Sequence, residues 1–473
     1  MIEFGSLICG KEEISGSWLD SYDPWTGEKL GRVAEATPEQ IESALAIAEE
    51  AWENPPPLEE RKAVVAQMAE LVNEHRSWLV DLLIQETGKP KQFAIGEVER
   101  LERTFRLSTE ITDELRDRPL DLSYDPRGEQ FAGLWNRFPV GPILAFVPYN
   151  WPYNLAAHKL APAMIAGCPI LLKVSPLAPL CSFALGKLLI EAGAPKGFIA
   201  VMHISNENAQ NALKHERIKM LSFTGSPRVG WMLKELAQKK KVLLELGGNA
   251  PVIVEADANL DLAAQRSAYS GYGYAGQVCI SAQNVFVHRD VYNEFREKLI
   301  RYTEETVTGD PRKEDCVCGP LISEEAAKTI QEKIESAVKR GAKIIAQAKA
   351  EKHPRLLPPT LVENPPPDEP VFCEEIFGPV LTLNSYVELD SLIETLNRGR
   401  YRLQASLFTS NDSTADKAYR TLRYGALVCN ESPSLRFDSM PYGGEGESGF
   451  GREGVRFALE EMTSPRTFLW RKK

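Results

Sequence analysis

The segment Gly276-Gln277-Val278-Cys279-Ile280-Ser281-Ala282-Gln283 sets a thiol among small and polar neighbours. The run Gly271-Tyr272-Gly273-Tyr274-Ala275 just before it gives the backbone room to turn tightly. Glu245, in Leu243-Leu244-Glu245-Leu246-Gly247-Gly248-Asn249, precedes the thiol by 34 positions. The two read as a nucleophile and a base that activates water to release a covalent intermediate. A lone cysteine is more often a core residue, so the case rests on what accompanies it.

Asn150, in Pro148-Tyr149-Asn150-Trp151-Pro152, follows an apolar strand and is placed to donate to a developing oxyanion. The plain alternative is a turn-forming asparagine. Trp151, Leu155 and His158 share one face of the helix that starts here, and that face would line the approach to Asn150. Thr224-Gly225-Ser226-Pro227-Arg228-Val229-Gly230 follows another strand and opens a helix, with Ser226 as N-cap and Pro227 at the first helical position. Free N–H groups and the helix dipole make that turn an anion site, fitted to a dinucleotide pyrophosphate. It is not a GxGxxG fingerprint, and a simple capped helix competes with this reading. Lys173 ends the strand of Leu171-Leu172-Lys173-Val174-Ser175, where ligands of parallel sheets bind; a snorkelling surface lysine is the alternative.

The elements that must position these residues are legible. Thr37-Pro38-Glu39-Gln40 is a capping box, and helices are expected from it towards Trp52, over 58–75 and over 93–115. Between Arg116 and Phe138 the pattern is strand, turn, strand: a hairpin that cannot bury both faces alone and so reads as an arm. From Pro139, strands at 142–147, 169–174, 198–202, 218–223 and 242–246 alternate with helices at 155–166, 180–192 and 207–214. Such alternation implies a parallel sheet covered on both faces. A second α/β region follows, and a late apolar strand at Phe468-Leu469-Trp470 could complete the hairpin's sheet.

Composition narrows the class. A chain of 473 residues exceeds one core, so two or three domains are expected. A net charge of −11 argues against a nucleic-acid partner. There is no signal-peptide pattern and no run near the ~18 apolar residues of a membrane span. The eight cysteines are scattered, and Cys316-Val317-Cys318 is too close for a zinc pair, so no metal is expected. Reduced thiols in the cytoplasm are the expectation.

With these pieces in this order, the chain resembles the aldehyde dehydrogenases. Glu374-Glu375-Ile376-Phe377-Gly378-Pro379, Pro441-Tyr442-Gly443-Gly444, Ser448-Gly449 and Gly451-Arg452-Glu453-Gly454 strengthen the resemblance, which begins at Tyr22-Asp23-Pro24-Trp25-Thr26-Gly27. It implies an α/β fold: a Rossmann-like NAD(P)-binding domain (1–118 and 139–246), an α/β catalytic domain (247–445) and a β-arm for oligomerisation (119–138 and 455–473), in a homodimer or homotetramer. It further implies that Cys279 is the nucleophile, Glu245 the base for thioester hydrolysis, and Asn150 with the Cys279 N–H the oxyanion hole. Lys173, Ser226, Gly225, Trp151, Ser175, Gly230, Glu375, Phe377 and Leu246 are the implied contacts of NAD(P)+.

Two departures stand out. Pro176 replaces an acidic residue common after Lys-x-Ser, so NADP becomes admissible beside NAD. Gly446 stands where a lysine is common. For the substrate, Arg436, with Arg103, Trp151 and His158, suggests a small hydroxylated or anionic aldehyde of the lactaldehyde, semialdehyde or glyceraldehyde-3-phosphate type. Arg436 paired to Asp438 or Glu431 is the competing expectation. A CoA-acylating enzyme, a redox-free thiol hydrolase using His288 and a non-catalytic relative are the rival functions.

Overall fold

The computed structural model describes residues 2–473. Its first large sheet orders its strands as Gly449–Phe450, Lys241–Glu245, Met220–Thr224, Ile143–Phe146, Ile170–Lys173, Ile199–Met202, Ser6–Ile8 and Lys11–Glu13. The five central strands run parallel. Their side chains alternate between two cores, Ile143 and Leu172 on one face, Leu144 and Leu171 on the other, so both faces are dry.

Helices cover this sheet: α1 (Pro38–Glu53), α2 (Leu58–Glu74), α3 (Arg76–Thr87), α4 (Lys91–Glu110), α5 (Pro152–Ala166), α6 (Pro179–Glu191), α7 (Asn206–Lys214) and α8 (Pro227–Ala237). Helices α2 to α6 share one core through residues such as Met68, Leu83, Phe105, Leu160 and Leu185. Helices α1, α7 and α8 share the other through Leu45, Leu213 and Leu233. From Ile143–Phe146 the chain adds strands to one side, then returns to add Met220–Thr224 and Lys241–Glu245 on the other. That reversal opens a crevice at the strand ends, beside Asn150 and Gly225.

The second large sheet orders Lys343–Gln347, Thr360–Glu363, Val380–Tyr386, Ala282–His288, Ala250–Val254, Gln404–Phe408 and Ala426–Cys429, all parallel save the first. Cys279 lies just before its central strand and Glu375 just before the next, so both face the crevice of the first sheet.

Local chemistry explains several boundaries. At Thr37 the capping box forms: Gln40 N–H donates to Thr37 Oγ1 at 3.3 Å and Thr37 N–H to Gln40 Oε1 at 3.1 Å. Helices α5 and α6 begin at Trp151 and Ala178, which have no capping side chain. Buried glutamates from elsewhere supply it. Glu97 Oε1 accepts from the N–H groups of Tyr153 (2.9 Å) and Asn154 (3.1 Å). Glu86 accepts from Leu180 and Cys181, each at 2.7 Å, and from the Ser21 hydroxyl at 2.8 Å.

Three expectations change. Helix α3 has no counterpart in the sequence reading. The expected hairpin keeps only Arg118–Pro119 as its first strand, followed by a 3-10 turn at Pro126–Gln130, because Pro119 and the Asp125-Pro126-Arg127-Gly128 turn interrupt a ladder. The second strand, Phe131–Pro139, pairs antiparallel with Thr463–Arg471 along its whole length, so the late strand does complete that sheet. Its Phe468 (60% exposed) and Leu469 (52%) stand in solvent. Residues 455–461, expected in the arm, form a helix whose Ala458 and Leu459 are fully buried in the first core. Among the described residues, no helix is long and apolar enough to cross a membrane.

Glu86→Ala would strand two buried N–H donors and a hydroxyl, at a cost of about 3 kcal/mol. A clear drop in the urea-unfolding midpoint is expected; an unchanged midpoint would contradict this capping role.

Candidate active site

The thiol loop holds an unusual backbone. Tyr274 (φ 52°), Ala275 (φ 53°) and Gly276 (φ 66°) are left-handed in succession. A Cβ on Gly276 would fall 2.2 Å from the Gly378 carbonyl oxygen, so glycine is required there on two counts. Gln277, fully buried, anchors the loop. Its amide donates to the carbonyls of Tyr274 and Pro320 (both 3.3 Å) and accepts from Tyr149 Oη (3.1 Å) and Ile322 N–H (3.0 Å). Its backbone oxygen accepts from Asn150 Nδ2 at 2.8 Å, which fixes the asparagine amide beside Cys279.

Cys279 ends up half-buried, with Sγ 3.1 Å from Tyr442 Oη. Burial pushes its thiol up to about 12, the hydroxyl contact offsetting only part. Glu245, at the end of its strand, is buried with both carboxylate oxygens unpartnered. Burial, and next the charge of Glu453, raise its pKa well above the carboxylate range. A carboxyl whose pKa is raised in this way binds a proton more readily than a free one, as a general base requires. Glu375 accepts from Gly248 N–H at 2.9 Å through Oε1, and burial lifts it to about 7.

Two cavities meet at the thiol. One, of about 290 Å³, is lined by Arg100, Trp151, Arg266, Tyr269, Arg436 and Tyr442. The other, of about 340 Å³, is lined by Gly225, Ser226, Glu245, Leu246, Glu375 and Phe377. Asn150, Leu155 and Cys279 border both. Thr224 joins the second to a further pocket holding Lys173, Ser175, Pro176 and Arg228.

Several expected positions move. Trp151 lines the first cavity, away from the dinucleotide-side residues; Lys89 Nζ sits 3.8 Å from its ring centroid and holds it. Gly230 lies under Leu246, where a Cβ would come within 2.4 Å, so it serves helix packing. Ser226 takes the N-cap position, yet its hydroxyl makes no capping bond. Arg103 is exposed and outside the cavity; Arg100, one turn earlier, is the arginine of α4 that lines it. His158 is fully buried behind the wall, with Nε2 2.9 Å from Asp438. Arg436 pairs with neither Asp438 nor Glu431 but with Glu453, at 3.0 Å, so its charge is already met. His288 ends the strand that begins beside Cys279, about 20 Å along it, too far to serve the thiol. Gly446 has φ 62°, a conformation that suits glycine better than lysine. Arg100, Gln277 and Tyr442 escaped the sequence reading, although Gln277 and Tyr442 lie inside quoted motifs.

The profile of the aldehyde dehydrogenase family matches residues 11–468. The chain belongs to the aldehyde dehydrogenase family. It is 35% identical over 468 residues to a 3-sulfolactaldehyde dehydrogenase of Priestia aryabhattai, covering 99% of this chain and 98% of that one. Aldehyde dehydrogenase 21 of Physcomitrella patens, solved with the reaction product succinate, superposes with a TM-score of 0.95 at 34% identity, over 99% and 98% of the two chains. The NADP-dependent glyceraldehyde-3-phosphate dehydrogenase of Bacillus halodurans, solved with NADP, gives 0.95 at 30% identity over 100% of both. This aldehyde dehydrogenase is thus an NAD(P)-dependent oxidoreductase acting on aldehydes.

The cleft suits that cofactor. Lys173 is largely buried with no carboxylate at hand, and burial lowers its ammonium to about 8. With Arg228 it makes the far end of the cleft basic, and no acidic side chain lines that end to repel a 2′-phosphate.

A thiol near 12 has a thiolate fraction that grows tenfold per pH unit throughout the neutral range. Alkylation of Cys279 by iodoacetamide in the cofactor-free aldehyde dehydrogenase should therefore climb about tenfold per unit from pH ~7 to ~9. A plateau within that window would show a far more acidic thiol.

Proposed function

We propose that this chain oxidises a small anionic aldehyde to its carboxylic acid through a covalent intermediate on Cys279. The observation that carries the reading is the thiol at the junction of two separately lined cavities, with Asn150 bordering both. The aldehyde reaches Cys279 from the side of Arg100 and Trp151, and NAD(P)+ from the side of Ser226 and Glu375.

The Cys279 thiolate attacks the aldehyde carbon. Asn150 gives one amide proton to the Gln277 carbonyl and keeps the second for the oxyanion, which the Cys279 N–H also meets. NAD(P)+, when bound, would supply the acceptor for the hydride that the aldehyde carbon must lose for Cys279 to hold a thioester. Lys173 and Arg228 would hold its phosphate-bearing end, and the free oxygen of Glu375 its nicotinamide ribose. Glu245 then takes a proton from water, which attacks the thioester and releases the acid and the thiol. The unpaired carboxylate supports hydrolysis over acyl transfer to CoA, because a water-activating base would waste the acyl group.

The anionic substrate class rests on the first cavity. Arg100 bonds Asp438 through Nε (3.3 Å) and Nη2 (2.6 Å), which leaves Nη1 unused by that pair, and the residue lines the cavity. Arg266 lines the same cavity, paired with Glu431 at 3.2 Å, so Arg100 is the cation that the reading rests on. The related proteins are a 3-sulfolactaldehyde dehydrogenase and an enzyme with succinate as its product, and both molecules carry an acidic group away from the reacting carbon.

Glu245→Gln should reduce about one cofactor per site in a stopped-flow burst, then turn over roughly 10²–10⁴-fold more slowly; loss of the burst itself would move Glu245 to the thiol-activating step. Arg100→Met should raise KM for a carboxylated or sulfonated aldehyde by about 10- to 100-fold, the worth of a hydrogen bond to a charged group, and spare a neutral aldehyde of equal length. Equal losses on both would remove the anion role.

A further inference from the structure

We propose that Tyr442 is a catalytic residue: its phenol donates a hydrogen bond to the Cys279 sulfur and stabilises the thiolate. The inference rests on the reading of Cys279 as nucleophile. Tyr442 Oη lies 3.1 Å from Sγ, within reach of a hydrogen bond to sulfur. The phenol is buried at 3% exposure, and burial keeps it protonated by raising its pKa well above the usual value. It therefore offers a proton to the sulfur at any working pH.

The ring is held on two sides. The Arg436 guanidinium stacks 3.7 Å from its centroid and is itself bonded to Glu453 at 3.0 Å. On the backbone, Tyr442 N–H donates to the Glu453 carbonyl at 2.8 Å, and the Tyr442 carbonyl accepts from the Glu453 N–H at 2.6 Å. Ile280 and Leu403 complete the packing. Glu453 thus fixes both Tyr442 and the cation above it. The charged groups around the sulfur are Arg436, which favours a thiolate, and Glu245 and Glu375, which oppose it. Lys159, Glu453 and Asp438 lie behind Arg436. Among neighbours that oppose ionisation, a neutral donor at bonding distance helps the thiolate without adding a buried charge.

Tyr442→Phe removes one oxygen and keeps the ring, its packing and its stack with Arg436. The experiment compares wild type, Tyr442→Phe and Cys279→Ser. Cys279 carbamidomethylation is followed by peptide mass spectrometry in cofactor-free enzyme from pH ~7 to ~9, alongside the first-turnover rate and cofactor KM. Loss of the donor should raise the thiol pKa by about one unit, which is a tenfold slower alkylation at every pH in this range. First turnover should slow by a similar factor, with cofactor KM within about twofold of wild type. Alkylation at the wild-type rate overturns the proposal. So does slower alkylation with an equal rise in cofactor KM, which would mark a displaced loop. If Cys279→Ser still oxidises aldehyde, the nucleophile reading falls and the proposal with it. An inactive Cys279→Ser beside a wild-type-like Tyr442→Phe removes the tyrosine alone.

Discussion

Three consecutive left-handed residues, two of them not glycine, do not persist unaided. Tyr274 and Ala275 each carry about 1–2 kcal/mol of backbone strain, and the buried amide of Gln277 is what holds them. All four of its hydrogen-bonding positions are used: two by carbonyls of Tyr274 and Pro320, two by Tyr149 and Ile322. These partners come from both halves of the molecule. Tyr149 follows a strand of the first sheet, whereas Pro320 and Ile322 belong to the second α/β region. The same residue's carbonyl then orients Asn150. One residue therefore fixes the strained loop, ties the two regions together and sets the direction of the Asn150 amide.

Around that loop, buried charge is divided unequally. Burial would push Asp438 and Glu453 up, but hydrogen bonds and cations prevail. His158 and Arg100 hold Asp438 well below the usual carboxylate range, and Lys159 and Arg436 hold Glu453 down at about 2. Both are ionised scaffolding. Glu245 lies beside them with no hydrogen-bond partner and feels the Glu453 charge directly. The cations bond the structural carboxylates and not Glu245, and that leaves the third a better proton acceptor than a free carboxylate.

The parallel sheet, its alternating helices, the capping box at Thr37 and the trio of Cys279, Glu245 and Asn150 were legible because each is written in local pattern or in short motifs. What escaped lies between distant residues. Glu86 and Glu97 cap helices that begin far along the chain, and no local rule sees a cap at that separation. The period of α4 reveals a helix but not which face meets the cavity, since α2 and α5 bury two of its sides; hence Arg100 rather than Arg103. Arg436 was legible as a cation near the entrance, but its partner Glu453 reaches it only through the fold. The strand expected over 119–124 had the right composition and lost to the prolines at its ends.

The return of the chain at Gly449–Phe450 has a consequence for assembly. This pair lies antiparallel to Leu244 and Glu245 at the margin of the first sheet, and the helix that follows seals the core beneath with Ala458 and Leu459. Until that late segment docks, the strand carrying Glu245 presents an open row of backbone donors and acceptors, the kind of margin that recruits stray strands. Its closure needs contacts more than 200 residues apart, and such contacts form slowly. A chain emerging from the ribosome would thus carry its sheet with one sticky border while about 200 further residues are made. Glu245 would be sheltered only when that border is shut.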